Sequence, residues 1–361
     1  MILVKEGQSP LILCLPHSGT DLPPAVAARL NATGRLQADL AWRLERVLDF
    51  PAGLDATIVR SSVSRYVIDL DKDPTTPLSA AWDPAQALCP VTTLDRKRIY
   101  QDGEEPGPTE VEQRMLLFYQ PFHLALRNQI ERVRRLHSKV VVLDCQSVRS
   151  QIRGVTDSGL PMVNIGSGEG TTTDPDLRNL IVGSFHAHEG LTVGVDGFAK
   201  GGFVTRSVGR PDQGVHAMTL LLAQRSYLRH ESPPFEPDKT RMGRLKSVLL
   251  DTFGRLNDWA DMQGGTATLP APVASPAPIL PAEPAPVDDQ AEPVPGPELA
   301  IGNQDKSCEP VEADDGLQEK ECERRKQPAV DPLDTASLTR VQHSRTGKVE
   351  EEPVTPLLVA E

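Results

Sequence analysis

From residue 265 to the end, the chain contains no Phe, Trp or Tyr, and residues 265–300 hold ten prolines. A segment without aromatic anchors, interrupted so often by proline, cannot bury enough apolar surface to offset the entropy of ordering it. The folding problem is therefore confined to the first 264 residues, and all 8 Phe, 3 Trp and 4 Tyr lie there. We expect one domain over 1–264, a Pro/Ala-rich spacer of polyproline type over 265–300 and an acidic disordered tail over 301–361.

Charge divides at the same boundary. The formal net charge is −12, and residues 265–361 carry 19 acidic against 8 basic side chains. The rest is nearly balanced, with 31 acidic and 30 basic. The acidic balance thus describes the tail, a candidate for contact with a protein partner, and nothing in the folded part favours nucleic acid. The five cysteines, Cys14, Cys89, Cys145, Cys308 and Cys322, are scattered and form no CxxC pair, as expected of reduced thiols in the cytoplasm. "MILVKEGQSP" lacks the basic and long apolar runs of a signal peptide, and no stretch approaches the length of a membrane span.

Within 1–264 apolar runs alternate with helical periodicity. "LILCL" (11–15), "DATIVRS", "SRYVIDLD", "VVVL" (140–143), "PMVNIGSGEG" and "GLTVGVDGF" read as strands. "GVHAMTLLLAQRSYL" fits either a strand or a helix. Residues 39–50 show helical spacing with Asp39 as N-cap, Glu110 to Leu136 is a long helix that Pro121 should kink or divide, and 174–187 and 239–263 are further helices. The Pro- and Thr-rich stretch 73–108 reads as a surface loop. This alternation predicts an α/β domain whose mostly parallel sheet is flanked by helices.

Three groups of residues could carry chemistry. His17 and Asp21 follow the first apolar strand in "PHSGTD", and imidazole with carboxylate is a zinc donor pair, although two donors do not complete a tetrahedral site. The alternative is a turn in which His17 bonds backbone. Asp144, Cys145, Gln146 and Ser147 follow "VVVL" at the strand end, where open α/β sheets place their ligands. Cys145 is either a nucleophile, which needs a base or positive field beside it, or a buried structural thiol. Arg65, Arg206 and Arg210 offer guanidinium forks for a carboxylate, or serve in ion pairs.

Taken in order, "LPHSGTDLP", "SRYVIDLDKDP", "LCPVTTLD", "LDCQS", "FAKGGFVTRSVGRPDQGVHAM" and "LLLAQRSYL" resemble the N-formylglutamate amidohydrolases, the deformylases of histidine degradation, over about residues 11–228. The resemblance implies an amidohydrolase-type domain similar to zinc exopeptidases. It implies hydrolysis of N-formyl-L-glutamate to L-glutamate and formate, with zinc as cofactor and a small carboxylated amino-acid derivative as ligand. His17 and Asp21 would then be metal ligands, and Arg65, Arg206 and Arg210 substrate-binding residues.

Several positions depart from the family pattern. The strand-end histidine is Gln146, and the carboxylate of a Gln-Leu-Glu motif, the candidate base, is Leu221. An Arg-His-Tyr-Gly motif is Arg206-Ser207-Val208-Gly209, the Asp-Thr-Asp-Trp-His helix start is Asp39-Leu40-Ala41-Trp42-Arg43, and Asp-Leu-Asn-Arg is Asp69-Leu70-Asp71-Lys72. A Gly-Gln-Asn-Thr-Thr loop has no counterpart between Trp82 and Ala87. Metal-assisted amide hydrolysis needs a held cation, an activated water and a group to move its proton. Two readings follow: a family member whose activity is weak, altered or lost, and a catalytically inactive homologue that binds a ligand or a partner.

Overall fold

The computed structural model describes residues 1–50, 53–75 and 87–263. The expectations for 265–300, for 301–361 and for most of the Trp82–Ala87 loop lie outside the described residues. Seven strands form one sheet: β1 (Ile2–Lys5), β2 (Leu11–Leu15), β3 (Thr57–Ser61), β4 (Val140–Val148), β5 (Val163–Gly166), β6 (Val193–Val195) and β7 (Val215–Ala223). The spatial order is β1-β3-β2-β4-β7-β5-β6; three short helices, α1 (Pro24–Arg29), α2 (Ala32–Leu36) and α3 (Leu44–Val47), lie between β2 and β3 in the chain. Four of the pairings are parallel; β1–β3 and β5–β7 are antiparallel, so the sheet is mixed.

The three central strands β2, β4 and β7 are buried at every residue, which is why their sequences read as continuous apolar runs. The strand period of two divides β4 between two cores. Val141, Leu143 and Cys145 join the cluster built with α6 (Pro175–His186) and α8 (Lys239–Gln263), through Leu177, Phe185, Phe253 and Leu256. Val140 and Val142 face the other way, onto Phe122, Leu126 and Val133 of the long helix. The same alternation carries Asp144 and Gln146 to that second face.

The long helix is divided, as Pro121 requires. It comprises α4 (Pro108–Arg114), a π turn over Met115–Tyr119 and α5 (Gln120–Arg134). The Gln120 N–H bonds to the Met115 carbonyl five residues back, a widened turn that accommodates a ring with no N–H to give.

Four local expectations change. Residues 39–50 hold only one turn of helix, Leu44–Val47, because Arg43 is left-handed (φ 62°). Asp39 does not cap it; its carboxylate accepts instead from Tyr66 and Arg149. "SRYVIDLD" is a chain of turns rather than a strand, since Asp69 Oδ1 takes the Asp71 N–H at 3.0 Å and folds the backbone onto itself. Strand β4 runs on through Val148, so Asp144 and Gln146 lie within it rather than beyond its end. No helix among the described residues is long and apolar enough to cross a membrane.

Candidate active site at the carboxyl ends of β2, β4 and β7

Parallel strands bring their carboxyl ends to one edge, and there the polar residues converge. His17 follows β2, and its Nε2 lies 2.7 Å from Asp69 Oδ1. Arg65 Nη2 stands 2.9 Å from the other Asp69 oxygen. Asp69 is wholly buried and Arg65 and His17 nearly so. Burial pushes the Asp69 carboxyl up, but the Arg65 guanidinium and the His17 imidazole outweigh it and hold the group well below the usual carboxylate range.

Beside this triad, Gln146 Nε2 donates to Asp71 Oδ2 at 2.8 Å and to Asp144 Oδ2 at 2.7 Å. One amide nitrogen thus spends both its hydrogens on two carboxyls, the half-buried Asp71 and the fully buried Asp144. Asp71 also accepts the Val204 N–H at 2.8 Å, at the start of α7 (Phe203–Val208). Thr219 on β7 reaches Asp144 Oδ2 at 3.3 Å and pairs with Thr205 at 2.8 Å. Asp144 Oδ1 is buried without a partner. Burial raises the pKa of both carboxyls, with repulsion from Asp69 adding to Asp71 and repulsion from Asp71 adding to Asp144, which is raised furthest. The pair therefore retains a proton where an isolated aspartate would be ionised.

The segment bearing Asp69 and Asp71 is held from behind by three side chains of the divided helix. Arg114 donates to the Val67 carbonyl at 2.8 Å, Tyr119 to the Lys72 carbonyl at 2.7 Å, and His123 Nε2 lies 2.9 Å from the Leu70 carbonyl. On the other side, Asp39 accepts from Tyr66 at 2.9 Å, from the Leu94 N–H at 2.9 Å and from Arg149 at 2.8 Å. Arg149 also reaches Asp95 at 3.2 Å. This network draws Leu94 onto an apolar cluster of Val148, Ile152, Leu160, Ala199 and Leu221.

The sequence candidates separate in space. Arg65 is part of the cluster through Asp69. Arg206 and Arg210 are exposed, and their guanidiniums bond backbone carbonyls of their own segment: Arg206 to Gly201, and Arg210 to Arg206 and Gly209. Asp21 is exposed, with its backbone bridged to Val63. Leu221 sits 4% exposed in the apolar cluster and has no acid–base capacity. Cys145 faces the opposite core; burial and the nearby Asp144 raise its thiol pKa well above normal, the reverse of an activated nucleophile.

Zinc needs three or four lone-pair donors around one point. Here His17, bonded through Nε2 to Asp69, can offer only its Nδ1, Asp21 is exposed with its backbone in a bridge to Val63, and position 146 presents an amide N–H, a donor rather than a ligand. Among the described residues no group of three or more His, Cys, Asp or Glu is placed to hold a metal ion. As arranged, these side chains do not fit a zinc site.

Sequence reasoning named Asp144 among the strand-end residues without giving it a role, and left Asp69, Asp71, Thr219, Asp39 and Arg149 out of the site. For Asp144 a signal existed: a charged residue in the middle of an apolar strand run must be buried and so must be partnered.

The family model for N-formylglutamate amidohydrolase matches residues 9–228. An N-formylglutamate deformylase of Pseudomonas aeruginosa is 32% identical over 229 residues, 63% of this chain and 86% of that protein. One from Pseudomonas putida is 31% identical over 253 residues, 68% of this chain and 94% of that protein. Among solved structures, an N-formylglutamate amidohydrolase from Ralstonia eutropha superposes with a TM-score of 0.62 at 19% identity, covering 73% of this chain and 98% of that one. A gene product of Agrobacterium tumefaciens gives 0.54 at 17% identity, covering 72% and 96%. These two likenesses speak to the fold.

Proposed function

Since the chain belongs to the N-formylglutamate amidohydrolase family, we propose that it is a member in which hydrolysis of N-formyl-L-glutamate is weak or lost, and whose retained role is to bind a small carboxylated amino-acid derivative. The observation that supports this reading is the Gln146 amide between Asp71 and Asp144. Cleaving a formamide requires an activated water, a donor for the developing oxyanion and a group that passes a proton to the leaving amine. The two carboxyls nearest to this work are occupied by Gln146, and the remaining candidate base position is aliphatic at Leu221. Arg65, ion-paired with Asp69 at the same edge, keeps its Nε without a partner, while Arg206 and Arg210 offer guanidiniums at the surface of the neighbouring segment. We place the protein in the cytoplasm, in keeping with its buried free thiols Cys14, Cys89 and Cys145.

The test uses the full chain, purified without chelator or affinity histidines. Metal content is measured by mass spectrometry, formate release from N-formyl-L-glutamate by assay, and binding of the same compound by calorimetry. Saturable binding with little or no formate is the expected result, and Arg65→Ala should weaken it by about tenfold or more. Near-stoichiometric zinc with brisk formate release would overturn the reading.

A further inference from the structure

A cavity of about 330 Å³ lies between α8, the turn that follows β7 and the turn that follows α6. It shares no residue with the cluster around Asp69 and Gln146. We propose that it binds a small amphipathic anion, a carboxylate carried on an apolar body, with Arg225, Arg241 and Arg244 receiving the carboxylate.

The walls specify this chemistry from two directions. Leu191, Leu245 and Val248 supply an apolar floor, and three arginines supply the polar side, while no acidic side chain lines the cavity. An inorganic anion would leave the floor in contact with water, and a neutral apolar molecule would leave the guanidiniums unmatched. A molecule with a carboxylate at one end satisfies both. The volume lies at the lower end of the range of small-ligand sites, which suits a short chain or a single ring.

The arginines are aimed by backbone carbonyls, and among the described residues Arg241 alone of the three is ion-paired, to Asp238. Arg225 is held by the Leu160 carbonyl, Arg241 by the Leu228 carbonyl at 3.0 Å, and Arg244 by the Glu189 carbonyl. A carbonyl fixes the direction of a guanidinium but leaves its charge intact, and each guanidinium has five N–H donors. The carboxylate nearest to Arg241 is Asp238, 3.9 Å from its Nε, and that group already accepts the Thr240 and Arg241 N–H groups at 3.0 Å as the cap of α8. Glu231, near Arg225, is taken up by the backbone N–H groups of Ser150 and Arg225. Among the described residues, Arg225 and Arg244 make no ion pair. Three guanidiniums oriented by backbone carbonyls around an apolar floor, two of them free of ion pairs, are preorganised for an anion, because little side-chain entropy remains to be lost on binding.

The experiment is calorimetric titration of the full chain with sodium octanoate, 1-octanol and inorganic phosphate in parallel, on the wild type, on Arg241→Ala/Arg244→Ala and on Arg244→Glu. The expected result is one octanoate per chain, bound about tenfold or more tighter than either octanol or phosphate. Both variants, confirmed as folded by circular dichroism, should lose about tenfold or more of that affinity. Arg244→Glu serves as the second reading if the double variant fails to fold. Octanoate binding at wild-type strength in a folded variant, phosphate binding as tight as octanoate, or no saturation with octanoate at all would each overturn the proposal. The outcome does not depend on whether N-formyl-L-glutamate binds or is cleaved at the β2–β4–β7 edge.

Discussion

Gln146 lies two residues beyond Asp144 on β4, and its amide nitrogen turns back to that residue's carboxyl at 2.7 Å while bonding Asp71 at 2.8 Å. Residues i and i+2 of a strand share a face, so the contact is built into the pleat, and Asp71 is the only member brought from elsewhere in this three-residue bridge. Removing the amide takes away the donor that Asp71 and Asp144 share and leaves the Val204 N–H and the Thr219 hydroxyl as their remaining partners. Gln146→Ala is therefore expected to destabilise the full chain by about 2–4 kcal/mol in urea unfolding at neutral pH. A loss below about 0.5 kcal/mol would show that the bridge is not formed in solution.

The bridge also depends on an absent side chain. A Cβ built on Gly202 would fall 1.8 Å from Asp71 Oδ2 and 2.3 Å from its Cγ. Gly202 has an ordinary φ of −77°, so the requirement is for space rather than for backbone freedom. Gly202→Ala must push Asp71 away from Gln146 and Val204. We expect a loss of about 1–3 kcal/mol, the range for overpacking a tight site. Combined with Gln146→Ala, the two losses should sum to less than their separate values, because both act through Asp71; full additivity in a double-mutant cycle would separate them.

How much of this was legible in sequence follows from where each constraint resides. Strands β2 and β3 and helices α6 and α8 were readable because burial on one or both sides writes directly into residue choice; the 239–263 helix matches its expected bounds. The "GVHAMTLLLAQRSYL" run was not, since a fully buried strand and a buried helix have the same composition, and only pairing with β4 and β5 resolves it as β7. β1 escaped notice because it is a half-exposed edge strand with little pattern. "SRYVIDLD" misled because β-branched residues favour strands locally, whereas Asp69 is fixed by His17, Arg65 and its own backbone. The chemistry followed the same rule. His17, Arg65 and Gln146 could be named from motifs, but the partner of His17 is 52 residues away, Asp71 is 75 from Gln146, and the nearby partner of Arg65 depends on turns that motifs do not encode. Asp39 looked like a helix cap and is an electrostatic link to Tyr66 and Arg149 because the left-handed Arg43 cuts off the helix it would have capped.

Replacing the amide by an imidazole tests what the edge lacks. Gln146→His puts a lone-pair donor next to Asp71 and Asp144, on the side of the sheet where His17 also lies. Imidazole and carboxylate suit zinc, whereas an amide N–H offers it nothing. Calorimetric titration should show zinc binding about tenfold or more tighter than in the wild type. Unchanged affinity would mean that residue 146 does not face a point where a cation can be held.

His123 carries a pH dependence that can be assigned by its sign. Its ring lies 4.2 Å from that of Tyr119 and edge-on to Phe122 and Phe203, and its Nε2 faces the Leu70 carbonyl. Burial in this apolar nest pushes its pKa down to about 4, with the Leu70 carbonyl opposing and the charge of Arg127 assisting. In the unfolded chain an ordinary histidine titrates near 6.5. Between these values the unfolded state binds the proton and the folded state does not, so stability falls as the pH falls from about 6.5 to about 4 and is fully retained above that window. The size of the shift corresponds to about 2 kcal/mol lost between pH 7 and pH 5. His123→Gln keeps a donor for the Leu70 carbonyl and removes the titration. Its urea-derived stability, plotted from pH 7 to pH 5, should fall by about 2 kcal/mol less than that of the wild type. His216, buried and likewise held near 4, titrates in both proteins and cancels in the difference. Parallel curves for the two proteins would show that His123 is not the group that takes up the proton, and that the hold of the divided helix on the Asp69–Asp71 segment is insensitive to pH in this range.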